Sequence, residues 1–156
     1  MLKILVFLFV LAILVVFARW FLPIGPARVV DAGVLDVGRQ RITLYGIRPP
    51  APGESCGGLD CREESRRILA ELVRGRYVAC IPYDRDFEGV YRGVCWTDTT
   101  DINEALVRAG FAAAQPPGSA PYAPVERFPR EQARGMWDVN KPRPPQQRVP
   151  LIQAHP

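Results

Sequence analysis

The chain of 156 residues has a single histidine, His155, one residue from its end. The central part of the sequence therefore has no imidazole, which excludes a His-activated nucleophile or a His-bound zinc there. Four cysteines remain, but their C-x4-C and C-x14-C spacings suit zinc poorly. An excess of one charge is also missing. Residues 25–138 carry 15 Lys+Arg against 16 Asp+Glu, and the net +4 comes from Lys3 and Arg19 in front and Lys141, Arg143 and Arg148 behind. Nucleic-acid binders gather basic charge on one face, and this balance gives no such signal. There is no internal repeat.

What is present begins with an apolar run, Ile4 to Phe17, preceded by Lys3 and followed by Arg19 and Trp20. Fourteen residues fall short of the roughly 20 that span a bilayer. Counting on through Trp20-Phe21-Leu22, with Arg19 snorkelling and Trp20 at the interface, reaches spanning length. Residues 1–24 are therefore expected to be a transmembrane anchor. A cleaved signal peptide is the rival, since Val16-Phe17-Ala18 offers small residues at suitable offsets. Either reading exports the rest of the chain, and the expected place is the periplasmic side of a bacterial inner membrane, held by a single pass.

The cysteines agree with export. "RYVACIPYD" and "VYRGVCWTD" read as strands joined by the turn "RDFEG", and a symmetric register sets Cys80 opposite Cys95, within reach of a disulfide. Cys56 and Cys61 bracket "GGLD" and are assigned to a second bridge. A zinc site is the competing use.

Further along, "LPIGPA" reads as a linker, and "RVVDAGVLDV" and "QRITLYGI" as strands joined by "GR". "DCREESRRILAELVRG" is an amphipathic helix: Asp60 caps it, Glu63 completes a capping box, Ser65, Ile68, Leu69 and Leu72 form its inner stripe, and Gly75 stops it. "DINEALVRAG" repeats that grammar with Asp101, Glu104 and Gly110. A third helix starts near Pro124 and meets Pro129. Residues 139–156 are proline-rich without an apolar period, an extended tail. Short hairpins with helices inserted and appended imply a mainly β (α+β) fold, a small five-stranded barrel closed by about three helices over residues 27–138.

The motifs also carry a resemblance. Ile42-Thr43-Leu44-Tyr45-Gly46-Ile47-Arg48-Pro49-Pro50-Ala51 resembles the thermonuclease (staphylococcal-nuclease-like) pattern V-R-L-x-G-I-D-A-P-E. Asp31-Ala32-Gly33-Val34 takes the place of D-G-D-T, "VYRGV" that of Y-G-R-x-(A/V), and "DINEALVRAGFA" that of D-v-N-x-x-L-V-x-x-G-x-A. Tyr122, Glu126, Ala133-Arg134 and Gly135-Met136-Trp137 come after them in order. The resemblance implies an oligonucleotide/oligosaccharide-binding (OB) barrel and an ancestral phosphodiesterase. Such an enzyme uses two aspartates for calcium, a glutamate base and two arginines.

Carried over by position, that set has largely departed. One metal aspartate falls on Gly33 and the other on Arg48, while Asp31 is kept. The base falls on Ala51, with Glu54 as a displaced candidate. The first arginine falls on Thr43, with Arg41 two residues earlier on the same strand face, and only Arg92 matches the second. No catalytic residue or metal site is expected; Arg48, Arg92 and Arg41 are binding candidates. Trp96 and Trp137 are read as packing, Tyr45 and Tyr91 as barrel residues that could stack bases. The expectation is an anchored, exported pseudonuclease without cofactor, an accessory module for a membrane-protein partner rather than for nucleic acid. The alternatives are an exported calcium-dependent nuclease and an inactive nucleic-acid or polyanion binder.

Overall fold

The computed structural model describes residues 2–115 and 121–138, with the backbone alone for 18–21. Five strands form the barrel: β1 (Ile24–Asp31), β2 (Val34–Val37), β3 (Gln40–Leu44), β4 (Tyr77–Arg85) and β5 (Tyr91–Thr97). The pairing β3-β2-β1-β4-β5 is closed by a parallel contact between β3 and β5, with Thr43 beside Arg92. Helix α1 (Leu2–Phe21) precedes the barrel, α2 (Cys61–Val73) lies between β3 and β4, and α3 (Ile102–Ala109) and α4 (Ala123–Glu131) come after β5. Leu35, Ile42 and Val78 from the strands meet Leu69, Ile102 and Leu106 from the helices in one buried core. The expected OB-type barrel with three helices on it is present.

Local chemistry explains the element ends. The Asp60 carboxylate accepts the Glu63 N–H at 3.0 Å, and Asp101 accepts the Glu104 N–H at 2.9 Å, satisfying N-terminal donors of α2 and α3. The Glu63 side chain turns to Arg66 instead of completing a box. Gly110, at φ 83°, ends α3 in the left-handed conformation. Pro129 lies inside α4 without ending it, and it is buried.

Two expectations about the first strands are corrected. "RVVDAGVLDV" is two strands, because Ala32 and Gly33, the latter at φ 77°, fold it into a hairpin that pairs Asp31 with Val34. "LPIGPA" is no linker beyond Pro23: Ile24, Gly25 and Pro26 pair with Ala79, Val78 and Tyr77 of β4.

Both disulfides form as expected, Cys56–Cys61 and Cys80–Cys95, the latter between directly paired residues with Cα atoms 4.0 Å apart. The second closes a 15-residue separation. Replacing Cys80 and Cys95 by serine is expected to cost about 3 kcal/mol, read as a lower urea midpoint; an unchanged midpoint would show the hairpin holding itself.

The described side chains of α1 end at Phe17 and are all exposed. Among the described residues no helix is long and apolar enough to cross a membrane, so the fold does not establish the span expected over 1–24. The tail expected over 139–156 lies outside the described residues.

Candidate functional site

The positions that carry the thermonuclease pattern converge at one end of the barrel. Register places Val34 beside Thr43 and Thr43 beside Arg92, and the Leu44 N–H donates to the Gly33 carbonyl at 2.8 Å. Past Leu44 the chain turns at Tyr45-Gly46, and Ile47–Arg48 pairs with Ala113–Ala114, which aims the Pro49-Pro50-Ala51 segment back toward Gly33. Gly33, Thr43, Arg48, Ala51 and Arg92 thus frame a single locus.

The Pro49 ring and the Arg62 guanidinium border it. A Cβ placed on Gly33 would lie 3.4–3.6 Å from the Pro49 ring, and the backbone there is left-handed. An aspartate would meet that ring and strain the backbone as well. The retained acid, Asp31, accepts from the Ala32 N–H at 2.7 Å and from Arg62 Nε at 3.1 Å, with a second, shorter bond to Arg62 Nη2. Arg62 Nη1 also donates to the Pro50 carbonyl at 2.8 Å. One guanidinium therefore bridges the strand end and the loop. Partial burial works to raise the Asp31 pKa, but the Arg62 and Ala32 hydrogen bonds outweigh it and hold the carboxyl below its usual range.

These residues do not fit calcium. The ion needs several oxygen ligands, among them carboxylates. Here one acid is committed to Arg62, a glycine under a proline ring stands at a second position, and Arg48 stands at a third. Among the described residues no group of three His, Cys, Asp or Glu side chains could hold a metal ion.

The arginines differ. Arg92 is tied to Asp84, with Nε–Oδ1 at 2.7 Å, and that bond raises its pKa. Its guanidinium also sits 5.6 Å from the centre of the Tyr45 ring, which stacks on Tyr83 at 4.3 Å. Arg41 grips Asp36 at 2.7 and 3.0 Å across the β2–β3 pair. Arg48 is half exposed, with Glu54 only at 3.8 Å. Glu54 accepts the Ala51 N–H at 2.8 Å and so closes its own turn, which occupies the displaced-base candidate. Trp137 packs with the Cys56–Cys61 cluster under Arg130, and Tyr91 lies under Arg85 at 4.0 Å.

Sequence reading missed Arg62. Its ion pair has a testable signature. Asp31 has a lowered folded pKa, so its contribution is present above the unfolded value of about 3.9 and is lost as pH falls through the folded value. Arg62→Ala is expected to cost about 0.5–1 kcal/mol at pH 7, discounted for the exposure of both partners. The difference should shrink in acid, as pH falls below about 3.9. Urea denaturation at neutral and at acid pH reads it, and a cost independent of pH would assign Arg62 to packing alone.

Comparison with known proteins agrees with the barrel and the order of its motifs. The staphylococcal nuclease homologue family matches residues 41–139. The chain is 28% identical over 122 residues to the succinoglycan biosynthesis protein ExoI of Rhizobium meliloti, covering 73% of this chain but only 64% of that relative. It is 30% identical over 125 residues to an uncharacterized endonuclease of Escherichia coli, covering 76% of this chain and 78% of the relative.

Proposed function

The chain belongs to the staphylococcal nuclease homologue family, and we propose that it is a member that has given up phosphodiester hydrolysis and serves as an anchored, exported binding or assembly module. The observation that carries this reading is the Arg62 bridge between Asp31 and the Pro50 carbonyl, with the Pro49 ring over Gly33. Hydrolysis in this family's manner needs a metal, a base and cations for the developing charge. At those positions the chain offers a glycine, two arginines, a threonine and an alanine. The names of its relatives point to endonuclease activity in one case and succinoglycan biosynthesis in another, so names leave the choice to the site.

In this reading α1 holds the barrel at a membrane. None of the described residues covers its described apolar side chains, which supports a membrane contact. Two disulfides suit an oxidising compartment. Loss of chemistry with retention of the barrel fits an accessory subunit of a membrane protein. The test is affinity capture of the full chain from detergent-solubilised membranes. A stoichiometric membrane protein that is lost when residues 1–24 are removed supports the proposal. Calcium-dependent DNA cleavage by the same preparation overturns it.

One observation favours a second reading. The Tyr45–Tyr83 stack beneath Arg92 resembles the aromatic-plus-cation surface that takes up single strands. Binding of a single-stranded oligonucleotide that weakens steeply with salt and with Arg92→Ala would move the assignment to a polyanion binder.

A further inference from the structure

The outward side of three adjacent strands has an unusual composition. On β1 the outward residues next to the helix are Ile24 and Pro26; on β4 they are Tyr77, Ala79, Ile81 and Tyr83; on β5 they are Val94 and Trp96. Register puts them side by side, Ile24 with Ala79, Pro26 with Tyr77, Ala79 with Trp96 and Ile81 with Val94. These eight are uncharged, whereas an outward barrel face in water normally alternates to polar residues; the charged outward residues, Arg28, Arg85 and Arg92, lie farther along the same strands. Tyr77, Ile81 and Tyr83 are 65–70% exposed, and Ile24 is 43% exposed. Tyr45 stacks on Tyr83, and Val94 and Trp96 are partly buried, while Ile24, Tyr77 and Ile81 stand open among the described residues; a contiguous apolar patch marks a contact surface.

Its position says what it contacts. Only Leu22 and Pro23 separate α1 from β1, and the Cys80 N–H donates to the Pro23 carbonyl at 3.0 Å. Two residues span at most about 7 Å, so the Ile24–Ala79–Trp96 edge of the patch cannot leave the end of α1. An exposed apolar residue, Leu22, thus lies between the helix end and the barrel flank. Its larger members are two tyrosines and a tryptophan, rings that settle where hydrocarbon meets headgroups. Arg28 and Arg76 are exposed beside it, on the outward side of β1 and just before Tyr77, where they can meet lipid phosphates.

We infer that this flank of the barrel, centred on Tyr77, Ile81 and Trp96, lies against the surface of the bilayer in which α1 is anchored. The inference rests on the anchoring role of α1. It adds an orientation: the outward face of β1–β4–β5 meets lipid, while Glu71, exposed on α2, faces the aqueous space.

The full chain is reconstituted into phosphatidylcholine/phosphatidylglycerol vesicles after Tyr77→Cys and labelling with an environment-sensitive dye. A Glu71→Cys variant, labelled on exposed α2, is the reference. The expected result is co-flotation of both proteins, with emission from position 77 shifted to the blue and quenched by nitroxide-bearing lipids, and emission from position 71 unchanged. Adding Ile81→Glu should return position 77 to the spectrum of water. Co-flotation with a water-like spectrum at 77 overturns the orientation while leaving the anchor standing. Failure to float overturns the anchor itself. A blue shift in detergent micelles that grows with protein concentration would show that a second copy covers the face, and would overturn the lipid contact.

Discussion

Single-stranded DNA incubated with the purified full chain and millimolar calcium will remain intact, and EDTA will make no difference. A positioned general base is worth roughly 10²–10⁴ in rate and one preorganised charge-stabilising donor roughly 10²–10³. The metal supplies several kcal/mol more. Such contributions do not multiply cleanly, so the lower end of a single one is the safe bound: a rate at least about 10²-fold below that of an intact site. Ala51→Glu alone should leave the DNA uncut too. It restores one carboxylate, yet Arg62 stays on Asp31 and the Pro49 ring stays over Gly33. Gel electrophoresis of labelled DNA and RNA checks both. Cleavage that requires calcium and disappears in Arg92→Ala would sink the pseudonuclease assignment.

The largest effect on stability is expected from Gly135→Ala. Here the chain after α4 crosses the end of α3 at backbone distance, and the Met136 N–H donates to the Gly110 carbonyl at 2.9 Å. A Cβ on Gly135 would sit 2.2 Å from that carbonyl oxygen and 2.7 Å from its carbon. Neither atom belongs to a side chain that could rotate away. Gly135 also has φ 61°, where an alanine costs about 1–2 kcal/mol. Overpacking adds about 1–3 kcal/mol, and the displaced hydrogen bond adds to it. The expected total is about 3–5 kcal/mol, most of the margin of a domain whose whole stability is about 5–15 kcal/mol. The neighbouring Ala133→Gly is the contrast, because Ala133 already holds φ 49° and is exposed. Relief of that strain offsets the extra freedom of the unfolded chain, so the change should stay within about 1 kcal/mol. Urea midpoints of the two variants separate the cases; a Gly135→Ala protein as stable as the parent would mean that the crossing can open.

How much of the fold could be read beforehand depended on whether the deciding contact was local. The caps at Asp60 and Asp101 and the stop at Gly110 act within one helical turn, so the letters announce them. The Cys80–Cys95 pair came from a hairpin register, and it held although a bulge at Pro82–Asp84 shifts the register nearer the turn. The split at Ala32–Gly33 was not legible, because a single glycine within an apolar run serves equally as a strand residue or a corner. The β1 residues Ile24 to Pro26 were hidden by the proline and glycine around them, which usually mark a linker. Arg62 was the least legible. In sequence it looks like Arg66 and Arg67, which pair with glutamates on their own helix. Its partner lies 31 residues away, and only closure of the barrel brings the start of α2 beside Asp31. The departed positions Gly33, Arg48 and Ala51 were visible as letters; that Pro49 packs on Gly33 and Arg62 ties Asp31 to the Pro50 carbonyl was visible only in three dimensions.

Arg62 has a consequence for how the protein relates to its surroundings. A domain that leans on a bound ion gains stability by mass action, in proportion to the logarithm of the free ion over its dissociation constant, and gives it up when the medium is depleted. The guanidinium of Arg62 is a cation joined to the chain by its own backbone. It cannot be diluted, chelated or exchanged for a competing metal. The corner of the barrel it holds thereby keeps its cation whether or not the surrounding medium supplies a divalent metal.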